Sequence, residues 1–211
     1  MPTGAATVRP VAVARPRPAT GRVIVLNGAP RSGKSSIVEA LLRTADRPTM
    51  NLGVDLAIAA TAPSLRPGIG LRPGGEHPEL EGHVQVGYRA LFDSIASHAR
   101  HGIDVVADLG IHDDHARPLG IWTDAARRLW GVPTHVVGVR CSLDVVIERR
   151  ARHPERYERG TAAAMRWERA VHDPGWYDAE VDTSARDPET CAAAVRATRA
   201  QTEPKALLRH L

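Results

Sequence analysis

From Arg22 onward, short β-rich apolar runs alternate with stretches whose apolar residues recur at helical spacing. That alternation is the signature of strand-helix-strand units and predicts an α/β fold with a parallel sheet. Five strands are predicted, RVIVLNG (22–28), TMNLGV (49–54), DVVADL (104–109), THVVGVR (134–140) and AEVDT (179–183). Helices are predicted over 33–45, 55–61, 84–101, 121–130, 142–151, 161–172 and 188–201, several opening at Ser, Thr or Asp. One stretch breaks the pattern. PSLRPGIGLRPGGEHPELEGH (63–83) is too rich in Gly and Pro for a helix or a central strand, and a loop of that length inside a compact domain points to function.

The 211-residue length and 43% apolar content fit one domain. Residues 1–21, rich in Pro, Arg and Ala and without an acid, predict a disordered tail ahead of a domain over 22–211. The net charge of +4 also sits in that segment, since residues 1–22 hold four arginines. The body is thus neutral, which argues against a phosphate-backbone binder, and no nucleic-acid partner is expected. Cys141 and Cys191 are too few and too far apart for a disulfide framework, so free thiols and a cytoplasmic location are expected. No apolar run has the length of a membrane span, and no membrane partner is expected.

Gly28-Ala29-Pro30-Arg31-Ser32-Gly33-Lys34-Ser35 follows a predicted strand and opens a predicted helix, the context in which G-x-x-x-x-G-K-[ST] is a phosphate-binding P-loop. Residues 28–35 and Ser36 are therefore the candidate nucleotide-binding set. Lys34 is one of only two lysines among 28 basic residues. A compact ammonium on a flexible stem reaches the β and γ phosphates where a planar guanidinium is bulkier. Ser35 is a candidate Mg²⁺ ligand. A guanine-reading [NT]-K-x-D motif is missing, because Lys205, in TEPKALL, is the only other lysine. A small-molecule kinase using ATP or GTP with Mg²⁺ fits best.

Such a kinase needs a base for the acceptor hydroxyl, a metal-shell carboxylate and cations for the transferred group. Asp55 ends the second strand at the sheet's carboxyl edge and is the candidate base, an N-cap of the next helix being its other reading. Asp108 ends DVVADL as a metal-holding carboxylate would. In ERRARHPERYERG (148–160), Arg149, Arg152 and Arg156 are the candidates for an arginine-rich lid over the triphosphate, with Arg149 catalytic beside Lys34. The neighbouring residues of IHDDH (111–115) cannot converge on one ion from a short loop. His112 and Asp113 are instead candidate substrate contacts, Asp113 also a reserve base. Trp122, Trp130, Trp167 and Trp176 are expected to pack the body.

With these pieces placed, residues 22–197 resemble the chloramphenicol phosphotransferase family of P-loop antibiotic kinases. The ordered motifs are LNGAPRSGKSSIV, GVD (53–55), VVAD, GVRC (138–141), the arginines of 149–156 and VHDPGWYDAEVDTS (171–184). The resemblance implies the P-loop kinase fold, a catalytic aspartate at the matching G-V-D position, Asp55, and phosphorylation of an antibiotic hydroxyl as self-protection. Departures from the family pattern fall in the tail, the lid and residues 63–90, which should line the acceptor pocket. There Arg66, Arg72, Arg89, Glu76, Glu79 and Glu81 look suited to a polar acceptor, such as a capuramycin-type nucleoside antibiotic, more than to chloramphenicol. Arg89 joins Asp55, His112 and Asp113 as a candidate substrate contact. The competing readings are a primary-metabolite kinase of the shikimate or gluconate type and a nucleotide-sensing switch.

Overall fold

A computed structural model describes residues 19–66, 78–153, 161–201 and 203–211. Along the chain run β1 (Val23–Asn27), α1 (Lys34–Arg43), β2 (Thr49–Asn51), α2 (Val54–Ala60), α3 (Glu81–Arg100), β3 (Asp104–Leu109) and α4 (Ile121–Arg128). Then come β4 (Thr134–Arg140), α5 (Leu143–Ala151), α6 (Ala162–Val171), β5 (Ala179–Asp182) and α7 (Pro188–Gln201). The strands form one parallel sheet in the order β2-β3-β1-β4-β5.

Burial follows that order. β1 and β3 are buried at every position and β4 at all but its last, whereas the edge strands β2 and β5 keep partly exposed residues. Alternation along β1 divides the core, because successive side chains point to opposite faces. Val23 and Val25 pack with Phe92 and Ile95 of α3 and with Ile121 and Trp122 of α4, whereas Ile24 and Leu26 pack with Ile37 and Val38 of α1 and Val195 of α7. A third, smaller cluster of Cys141, Val146 and Ala164 joins α5 to α6. Both cysteines are free and buried.

The departures from the predicted elements are local. β2 stops at Asn51 because the Asn51 side chain accepts the Gly53 N–H at 2.8 Å, an Asx-type turn that places the N-cap of α2 two residues on. Within 63–83, Pro63–Leu65 and Pro78–Leu80 form short 3₁₀ turns and α3 begins at Glu81, earlier than the predicted 84. Residues 1–18 of the expected tail and residues 154–160 of the expected lid lie outside the described residues. Among the described residues no helix is long and apolar enough to cross a membrane.

Candidate active site

β1 lies at the centre of the sheet with β3 on one side and β4 on the other, so the chain connections diverge beside it and leave a crevice at the carboxyl ends. A cavity of about 930 Å³ opens there, lined by the loop after β1, the starts of α1 and α2, α3, the loop after β3, and residues of α5 and α6. Gly33 sits at φ 91°, a left-handed conformation that glycine adopts without strain, and it directs the N-terminus of α1 at the cavity. Arg31 at φ 72° shares the left-handed region, as expected where a loop curls around a ligand.

Lys34 lines this cavity and donates from Nζ to the carbonyls of Gly28 at 2.8 Å and Ala29 at 2.9 Å. Burial pushes its pKa down to about 8, against the pull of the Asp108, Asp55 and Glu168 carboxylates. Ser35 Oγ donates to Asp108 Oδ2 at 2.8 Å, so a hydroxyl from α1 and a carboxylate from β3 meet beside the loop. Gly53 makes this possible from the other side, since a Cβ there would fall 1.8 Å from Asp108 Oδ1. Asp55 is exposed in the first turn of α2 and lines the same cavity. Gly53 is the N-cap of α2, so Asp55 does not serve as its cap.

Of the candidate nucleotide residues, Gly28, Pro30, Arg31, Gly33, Lys34, Ser35 and Ser36 line the cavity, whereas Ala29 and Ser32 are buried behind it. Arg149 lines it too, and its guanidinium is fixed: Nη1 donates to Arg31 O and Thr183 Oγ1, each at 3.2 Å, and Nη2 to Thr183 O at 2.9 Å. Thr183 in turn donates to Ser32 O at 2.6 Å, which ties the end of β5 and α5 to the P-loop. Arg152 lines the outer part and pairs with Glu148 one helical turn back. Arg156 lies outside the described residues.

The acceptor side differs from expectation. Arg89 does not reach the cavity, because it pairs with Asp124 of α4 at 2.6 Å. Asp113 is also turned away, its carboxylate accepting the Gly120 N–H at 3.1 Å. His112 does line the cavity, stacked on His115 at 4.3 Å and edge-on to Trp167 at 5.0 Å. Burial lowers the His115 pKa, opposed by the nearby Glu81 carboxylate.

Nor do the other described charged residues that pointed to a polar acceptor line it. Arg66 donates to the carbonyls of Thr61 and Ala59 at the end of α2, Glu81 is buried and accepts the Ala116 N–H, and Glu79 is not in the lining. Arg72 and Glu76 lie outside the described residues. Val54, Ile58, Leu65, Val84, Val86 and Leu91 line this half, with Thr61, His83 and His115 among them.

Three residues join the site that the sequence did not single out for it. Tyr88 of α3 lines the cavity, and its pKa is raised by burial and by the Asp55 carboxylate, so the phenol keeps its proton as a donor. Trp167 lines the cavity rather than packing the body, and Trp130 and Trp176 are partly or largely exposed, which leaves Trp122 as the one tryptophan of the core. Asn27, buried at the end of β1, accepts the Ile111 N–H at 2.7 Å and donates to Val171 O at 2.8 Å, fixing the loop after β3 to the end of α6. For Trp167 and Tyr88 the available signal is helical phase; for Asn27 it is its place at the end of β1, directly before the P-loop.

A parallel sheet of this order, with a P-loop lysine facing the carboxylates of β3 and α2, defines a P-loop kinase, a nucleotide-binding phosphotransferase. Within that class the chain belongs to the chloramphenicol phosphotransferase-like protein family, which matches residues 21–200. Among solved structures it is similar to a Deinococcus radiodurans tunicamycin resistance protein, with 18% identity and a TM-score of 0.57 over 88% of this chain and 99% of that one. A shikimate kinase from Acinetobacter baumannii in complex with shikimate gives 15% identity and a TM-score of 0.56, over 84% of this chain and 92% of that one. A gluconokinase from Sinorhizobium meliloti 1021 gives 16% and 0.53, over 88% and 94%. At these identities the likeness is one of fold. No curated protein matches the chain in sequence.

Proposed function

We propose that the protein moves the γ-phosphoryl group of ATP or GTP to a hydroxyl of an antibiotic-type small molecule, giving resistance to it. The observation that carries this reading is the convergence of Lys34, the Ser35 and Asp108 pair and Asp55 on one cavity that Val54, Ile58, Val84 and Leu91 also line. In this reading Asp55 accepts the proton of the acceptor hydroxyl as its oxygen attacks phosphorus, and the nucleoside diphosphate leaves. Lys34 and Arg149 neutralise charge on the phosphoryl oxygens during transfer. The hard oxygens of Ser35 and Asp108 suit Mg²⁺, which when bound offsets negative charge on the phosphates.

Because Glu81 and Arg89 are held by partners outside the cavity while Val84, Val86 and Leu91 line it, the reading shifts from a polar nucleoside toward an acceptor with an apolar body, of which chloramphenicol is an example. The test is mass spectrometry of chloramphenicol, a capuramycin-type nucleoside, tunicamycin, shikimate and gluconate incubated with the protein, Mg²⁺ and ATP or GTP. A gain of one phosphoryl group on an antibiotic supports the reading. A gain confined to shikimate or gluconate replaces it with the metabolite kinase, and nucleotide binding without any product replaces it with the switch.

A further inference from the structure

α2 is apolar at six of its seven positions, yet none of its residues is buried. Opposite it, the N-terminal half of α3 carries Val86, which is 61% exposed although it lines the cavity, and the turn after α2 presents Leu65, also lining and 40% exposed. Single exposed apolar residues are ordinary on a protein surface. Val86 and Leu65 line the same cavity as Ile58, Val84 and Leu91, together with Thr61 and His83.

Gly87 adds an independent observation. It lies inside the helix α3 and lines the cavity. Its φ is not in the left-handed region, and a Cβ built on it meets nothing within 4 Å. Neither backbone conformation nor close packing therefore requires glycine here, although glycine weakens a helix interior. The position is exposed and leaves open space beside the cavity lining. From these features, and resting on the phosphotransfer reading above, we infer that the acceptor is an amphipathic alcohol. Its hydroxyl meets Asp55, and an apolar arm runs along Ile58, Val84 and Gly87 to leave the cavity between Leu65 and Val86.

The inference is tested with 4-methyl-, 4-propyl- and 4-pentylbenzyl alcohol as probes, their binding to the full chain measured by calorimetry alongside that of ATP. Each added methylene is expected to tighten Kd about fourfold. Gly87→Phe, which fills space the fold leaves open, should erase the dependence on chain length while the Kd for ATP stays unchanged. A Kd that ignores chain length overturns the inference. So does a dependence that survives Gly87→Phe. The same alcohols incubated with ATP and Mg²⁺ separate the two readings. Length-dependent binding without a phosphorylated product removes the phosphotransfer reading and keeps the arm, whereas product formation indifferent to length does the reverse.

Discussion

Ser35 Oγ donates to Asp108 Oδ2 at 2.8 Å, joining the first turn of α1 to the penultimate residue of β3. The pair offers oxygen donors of the kind Mg²⁺ selects, placed where the P-loop would present phosphates. Replacing Asp108 by Asn keeps the shape and removes the charge. We expect the Mg²⁺ concentration for half-maximal turnover to rise at least tenfold, read from a metal titration at saturating nucleotide. An unchanged midpoint would remove Asp108 from the metal shell.

Asp55 stands at the start of an otherwise apolar helix, exposed to the cavity and released from any capping role by Gly53. Asp55→Asn should leave nucleotide affinity unchanged and lower turnover by about a hundredfold or more, the size expected when a general base is lost. Single-turnover kinetics with the acceptor found by mass spectrometry would measure it. Equal turnover in the variant would assign proton removal to another group.

How far the sequence discloses such a site depends on whether the partners are close in the chain. The P-loop is legible because its residues are contiguous and its flanking strand and helix are strongly patterned. Asp108 is legible because strand ends at the carboxyl edge of a parallel sheet face the ligand, whereas Asp55, expected at the end of the second strand, lies in the first turn of α2, since β2 stops at Asn51. Arg89 misleads for a reason of phase. On a helix, adjacent residues point about 100° apart, so Tyr88 faces the cavity with Val84 and Leu91 while Arg89 faces Asp124, 35 positions away on α4. Trp167 and Glu168 part in the same way, one lining the cavity and the other pairing with His172. Asp113 fails differently, since its partner, the Gly120 N–H, is fixed by a loop closure that no periodicity signals.

The glycine of GVD has a steric origin. A Cβ at Gly53 would lie 1.8 Å from Asp108 Oδ1 and 2.9 Å from its Cγ, so α2 reaches the end of β3 only because that atom is missing. Asp108 has little freedom to yield while Ser35 holds it. Gly53→Ala is therefore expected to destabilise the fold by about 1–3 kcal/mol, the range for forced overpacking, and to raise the Mg²⁺ requirement as is expected of Asp108→Asn. Urea unfolding measures the first effect. Pairing Gly53→Ala with Asp108→Ala should restore most of the stability, a non-additivity that strictly independent sites would not show.

Lys34 carries a pH signature. Its pKa in the folded protein is about 8 against an ordinary 10.5, because burial penalises the ammonium more than Asp108, Asp55 and Glu168 favour it. A lysine lowered in this way costs the folded state stability below pH 8, and the cost is relieved as pH rises from 8 to 10.5, where the unfolded chain binds more protons. The difference amounts to about 3 kcal/mol and should be read as the pH-dependent gap in unfolding free energy between the protein and its Lys34→Met variant. Nucleotide binding should run the other way. Triphosphate oxygens favour the ammonium, so affinity should be level below pH 8 and fall by up to tenfold per pH unit above it, with proton uptake on binding. Calorimetry of a non-hydrolysable ATP analogue between pH 7 and 10, in buffers of different ionisation enthalpy, measures both. Lys34→Met should bind weakly at pH 7 and show no slope above pH 8. A slope that persisted in that variant would assign the proton to another group and take Lys34 out of contact with the phosphates.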